Sequence, residues 1–93
     1  MSRVPESEVG LWLAKIPDWR REGNKLVRGF MFKNFREALA FVVQVAMLAE
    51  RMDHHPDIVI RYKQVELCLT THSADGLTDK DFELAQQIDA ILR

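Results

Sequence analysis

His54 and His55 stand side by side in Glu50-Arg51-Met52-Asp53-His54-His55-Pro56, and His72, the third and last histidine, follows after one expected hairpin. Imidazole is the side chain whose ordinary pKa lies closest to neutrality, so a cluster of three suits proton transfer or metal binding. Glu50, Asp53, Asp57 or Asp81 could join the histidines around a divalent metal. The metal reading is the weaker one. Adjacent histidines in a loop point in different directions, and neither His-x-x-x-His nor His-Glu-x-x-His spacing occurs. Acid–base work asks less: imidazoles lining one pocket, with carboxylates to orient them. A nucleophile–histidine–acid triad is unsupported, because Ser73 follows His72 directly and no nucleophile elbow is present. Each acid also has a structural role open to it. Asp81 falls in the first turn of an expected helix, where carboxylates offset the dipole and the free amides, and Glu50 and Asp53 suit a solvated helix end.

The 93 residues are expected to form one domain over 1–93, with 47% hydrophobic and 29% charged residues as in ordinary globular proteins. Thirteen basic and fourteen acidic residues give a net charge of −1 with no basic run, which argues against direct nucleic-acid contact and against an anionic membrane surface. The lone cysteine, Cys68, excludes an internal disulfide and a cysteine-based zinc site, and its place in an expected strand suits a small buried hydrophobe. Ser2-Arg3-Val4-Pro5-Glu6 lacks a signal-peptide core. The run Leu39 to Ala49, interrupted by Gln44, falls short of the ~20 residues that span a bilayer. A cytoplasmic setting is the expectation.

Positioning the histidines falls to the elements around them. Ser7 to Ile16 reads as a helix, with Val9, Trp12, Leu13 and Ile16 on one side and Pro17 as its stop. Asp18 to Arg21 reads as a short strand, Glu22-Gly23-Asn24 as a turn, and Lys25 to Lys33 as a strand. In that strand Leu26, Phe30 and Phe32 share a parity that Arg28 interrupts. Asn34 opens the main helix as N-cap, with Glu37 three residues on. Its apolar surface, from Ala38 through Met52, is wider than one sheet can cover. Either the N-terminal helix covers the remainder or a second subunit does, and a homodimer or homotetramer is expected. Pro56 ends the helical run. Asp57 to Tyr62 and Val65 to Thr71 alternate as strands joined near Lys63-Gln64, which sends His72 to the side opposite the apolar row. Thr78 caps a last helix that packs through Phe82, Ala85, Ile88 and Leu92. The order α-β-β-α-β-β-α predicts an α+β fold: a four-stranded antiparallel sheet with helices on one face and the other face partly open.

With its elements placed, the chain resembles a known family. His54-His55-Pro56-Asp57, Tyr62, Val65, Thr71-His72, Gly76-Leu77-Thr78, Asp81 and Leu84-Ala85 are similar, in type and spacing, to the signature of the pterin-4a-carbinolamine dehydratases. The likeness extends to Pro17-Asp18-Trp19 and to the segment from Phe30 to Glu50, covering residues 9–90. Only Ser73-Ala74-Asp75 departs from the pattern, which touches local loop contacts.

That resemblance implies a lyase that dehydrates 4a-hydroxytetrahydrobiopterin to quinonoid dihydropterin and water, in the recycling that follows aromatic amino-acid hydroxylation. It implies no metal and no organic cofactor, and a functional link to an aromatic amino-acid hydroxylase. By the same resemblance His54 and His72 form the general acid/base pair, and His55 binds the pterin and assists. Glu50 and Asp81 orient groups in the site, and Trp19 lies at the pocket's edge, although core packing accounts for it equally well. A competing function follows from animal members of the family, which also serve as dimerisation cofactors of a transcription factor. On that reading the Leu39–Leu48 surface is a protein-binding module.

Overall fold

A computed structural model describes residues 2–93. Its elements run α1 (Glu6–Leu13), β1 (Arg20–Glu22), β2 (Lys25–Met31), α2 (Phe35–Met52), β3 (Asp57–Arg61), β4 (Gln64–Leu69), a 3₁₀ turn (His72–Ala74) and α3 (Asp79–Ile91). The expected order is the observed one. The strands form a single antiparallel sheet in the order β1-β2-β4-β3, with the helices packed on one face.

Alternation fixes which side of each strand is buried. Leu26, Phe30, Val65, Leu67 and Leu69 face the helices and join Ala38, Phe41 and Val45 of α2 and Phe82, Leu84, Ala85 and Ile88 of α3 in one core. α1 adds Val9, and its Trp12 stacks on Phe82 at 5.3 Å between ring centroids. Arg28, the residue that broke the parity of β2, does point to the helix side. There its guanidinium meets Asp89 of α3 at 2.6 Å, so the misplaced charge is a paired one. The opposite sheet face carries Lys25, Asp57, Arg61, Gln64 and Glu66. Cys68 lies half-buried on that face, and burial raises its thiol pKa, which keeps it in the unreactive protonated form.

Several boundaries differ from the sequence expectation for local reasons. β1 begins at Arg20 because Trp19 N–H closes a turn on Ile16 O (3.0 Å). The β3–β4 loop is Tyr62-Lys63, one residue early, with Tyr62 in the left-handed region (φ 55°). Leu92 lies past α3 and is largely exposed, whereas Leu84, off the expected face, is fully buried. Of the two explanations for the wide apolar surface of α2, coverage by the N-terminal helix is not what is found. α2 packs against α3 and β4, and Phe35, Leu39, Val43 and Met47 remain an exposed stripe.

Candidate active site

The double-histidine segment leaves α2 through a turn that dictates its direction. His54 N–H donates to Ala49 O (3.0 Å) and Asp53 N–H to Glu50 O (3.2 Å), the paired bonds of a Schellman helix end. Asp53 occupies the left-handed position (φ 50°, ψ 45°) where glycine is usual; aspartate is one of the few other residues that tolerate it. The chain therefore reverses within one residue, and Pro56 commits it to β3. Out of this turn, His54 goes inward and His55 outward: His54 is buried and His55 exposed.

His54 ends on Asp81. Its Nε2 lies 2.5 Å from Asp81 Oδ1, and this carboxylate is fully buried. The second oxygen, Oδ2, accepts from the Thr71 hydroxyl (2.7 Å) and from the Thr78 backbone N–H (2.9 Å). The two threonine hydroxyls are also 2.8 Å apart. A buried carboxylate without such partners would be strongly disfavoured, and no buried side-chain polar atom among the described residues lacks a partner. One side chain thus performs two tasks: it caps α3 through Thr78 and orients a histidine. The carboxylate accepts from Nε2–H, which leaves Nδ1 of neutral His54 as the ring's remaining lone pair.

The same acid links the two histidine-bearing segments. Carried three residues past Asp57↔Cys68, the β3–β4 register sets His54 beside Thr71, and Asp81 bonds to both. β4 stops at Leu69, but Thr71 stays in the buried row through a bridge to Gly76. His72, next along, begins the 3₁₀ turn and is exposed, on the parity expected for it. His55 Nε2 meets Glu50 Oε1 at 2.7 Å on the surface, so Glu50, one turn back in α2, holds the second imidazole. Each of His54 and His55 has a carboxylate on Nε2; His72 has no polar partner among the described residues.

Trp19 lies elsewhere. It is buried, its indole N–H donates to Asp89 Oδ1 (2.8 Å), and its ring meets Phe30 edge-on at 6.2 Å. Continuing the pairings places Trp19 opposite Arg28, then Leu67, then Ile58. Three strand spacings, about 14 Å, separate it from the β3 edge before the further run to His54. No described group of histidine, cysteine and acidic residues forms a metal-ligand cluster.

Thr71 and Thr78 are the two site residues that sequence reasoning left in structural roles. Their signals were present: Thr71 occupied a core parity position, and Thr78 stood three residues before a helix-start acid, the capping-box spacing.

A small α+β domain with an acid-anchored histidine at one end of its sheet is therefore the class that fold and site define. The chain belongs to the pterin 4 alpha carbinolamine dehydratase family, whose profile matches residues 2–91. Proteins from Chloroflexus aurantiacus (55% identical, 99% of each chain covered) and Thermomicrobium roseum (52%, 95% of each) carry the name "Putative pterin-4-alpha-carbinolamine dehydratase". A Brucella melitensis protein described as a transcriptional coactivator/pterin dehydratase superposes with a TM-score of 0.92 at 36% identity, over 97% of this chain and 98% of that one. A pterin dehydratase-like protein identified as a RuBisCO assembly factor of the alpha-carboxysome superposes with a TM-score of 0.68 at 25% identity, over 80% and 88%.

Proposed function

We propose that this chain is a hydro-lyase that dehydrates 4a-hydroxytetrahydrobiopterin to quinonoid dihydropterin and water by histidine acid–base catalysis. The carrying observation is Asp81, a buried carboxylate that holds the imidazole of His54 and the hydroxyl of Thr71, the residue before His72. Hydroxide leaves a carbinolamine poorly unless an acid protonates it. One imidazolium gives its proton to the 4a-hydroxyl, and the C–O bond breaks as the adjacent ring nitrogen's lone pair forms the new C=N bond. A neutral imidazole takes that nitrogen's proton, and solvent returns both rings to their starting states. His54 and His72 are the proposed pair, and His55, held by Glu50, binds the pterin. Such help is worth about 10²–10⁴-fold. No step calls for a metal or organic cofactor.

The reading carries with it one domain over residues 1–93, a cytoplasmic setting and a functional link to an aromatic amino-acid hydroxylase. It also includes self-association through the exposed stripe Phe35, Leu39, Val43 and Met47 of α2. That stripe equally favours the second reading, a protein-binding coactivator, in which variants dead as dehydratases keep their biological effect. Among the described residues, no helix is long and apolar enough to cross a membrane.

The test follows pterin absorbance with purified protein. The wild type should outrun the uncatalysed reaction, and His54→Ala and His72→Ala should each slow it while circular dichroism stays unchanged. Wild-type protein no faster than buffer sinks the proposal.

A further inference from the structure

The segment ahead of α1 has no part in the chemistry above, yet it touches the loop that carries His72. Val4 N–H donates to Leu77 O (2.8 Å), and the Val4 side chain is buried in the core. Arg3, just before it, lays its stem across Gly76. A Cβ at position 76 would overlap Arg3 Cδ and stand 2.9 Å from Arg3 Cγ. Gly76 does not have a positive φ, so its backbone is open to any residue. What glycine supplies here is room, and Arg3 fills it.

Gly76 closes the loop in question. Thr71 N–H donates to Gly76 O (3.0 Å) and Gly76 N–H to Thr71 O (3.3 Å), with the 3₁₀ turn of His72 enclosed between them. The loop's Thr71 side is tied to Asp81. Its Gly76 side has Arg3 and Val4. Among the described residues the His72 imidazole has no polar partner, so the backbone of this loop sets its direction, and short exposed loops open at little cost unless packed. The strap itself is anchored: Glu6, at the start of α1, takes a two-pronged contact from Arg21 of β1 at 2.9 and 2.6 Å.

We propose that Arg3-Val4 is a strap across the His72 loop and that Arg3 is a positioning residue for His72. It acts through its aliphatic stem in the space left by Gly76. The catalytic consequence rests on the dehydratase reading; the stiffening of the loop does not.

A double-mutant cycle tests it. Arg3→Ala removes the stem and Gly76→Ala evicts it, so both singles lose one and the same contact. Each should speed hydrogen exchange of the Thr71 and Gly76 amides, on the order of tenfold, and the double variant should be no worse than the worse single. The His72 ring resonances should move, reporting the altered loop, and kcat should fall with KM little changed. Arg3→Met keeps an unbranched stem without the guanidinium and should restore wild-type exchange. Additive singles, unchanged exchange in Arg3→Ala, or failure of Arg3→Met to rescue would each overturn the strap. Inactive wild-type protein with a non-additive exchange cycle would remove the dehydratase reading and leave the strap standing.

Discussion

Helix α3 carries two anchoring aspartates, and they do different work. Asp81 in its first turn and Asp89, two turns on and about 12 Å along the axis, each tie the helix to a distant part of the chain. Asp89 holds Arg28 (2.6 Å) and the indole of Trp19 (2.8 Å), with Asp18 Oδ2 a further 3.7 Å from the same guanidinium. Neither guanidinium nor indole gives up a proton at any ordinary pH, so this end is a lock. Asp81 holds two hydroxyl- or amide-type donors and one imidazole, the only partner type in the two networks suited to acid–base work. Burial alone does not tell a site from a lock, since both acids are shielded. What distinguishes them is the chemistry of the partner.

The largest expected effect separates the two ends directly. Asp81→Asn keeps the size of the side chain but turns one carboxylate oxygen into a donor, so the tautomer of His54 is no longer enforced. Dehydration should fall by roughly 10²–10⁴-fold with the fold retained. Asp89→Asn, measured alongside, should leave turnover within a few-fold while costing about 1–3 kcal/mol in urea unfolding, because a shielded guanidinium loses its counter-charge. Equal activity losses at both positions would erase the distinction.

A smaller effect is expected at Trp19. Trp19→Phe keeps an aromatic ring against Phe30 but loses the N–H bond to Asp89, about 0.5–1.5 kcal/mol of stability, plus a cavity cost because phenyl is smaller than indole. KM for the pterin should stay unchanged. A raised KM would put Trp19 against substrate and move the lock into the site.

The smallest effect belongs to a third tie, the exposed pair of Glu6 and Arg21. The hydrogen bond from Arg21 lowers the Glu6 pKa below its ordinary value of 4.5. A lowered carboxylate contributes stability above its unfolded pKa and loses it as pH falls through the folded value. Glu6→Gln should therefore flatten the acid limb of the stability curve by lowering the neutral-pH plateau slightly, with no effect below the folded pKa of Glu6. A large loss at neutral pH would make this surface tie a lock of the Asp89 kind.

Element order, the N-caps Asn34 and Thr78 and the three histidines were legible in the sequence, because each depends on local pattern: parity, spacing or a capping residue. Asp81 was legible as a helix-start acid, whereas its orienting of a histidine was an expectation from the family resemblance alone. Partners across the sheet were less so. Arg28 stood out as an exception on the apolar side of β2, but only the packing of α3 over the sheet supplies Asp89 to meet it. Trp19 illustrates the same limit: alternation shows that a ring is buried, not where its N–H points. Asp53 was read as part of a solvated helix end, and its left-handed backbone, which aims the two histidines apart, has no periodic signature. The width of the apolar surface of α2 was visible from spacing, and what remained for the structure was that α1 does not cover it.

The two aspartate networks also differ in how far apart in the chain their members lie. The site's longest side-chain bond joins residues 27 positions apart, and Thr71 reaches Asp81 over 10; the lock spans 61 and 70 positions. Closing loops about two to seven times longer costs about 0.7–1.7 kcal/mol more in chain entropy. A folding chain therefore has reason to assemble its histidine end from the C-terminal half first, and to bring the first hairpin onto α3 later. Chain entropy by itself thus favours an order of assembly opposite to the order in which the chain is read from its N-terminus.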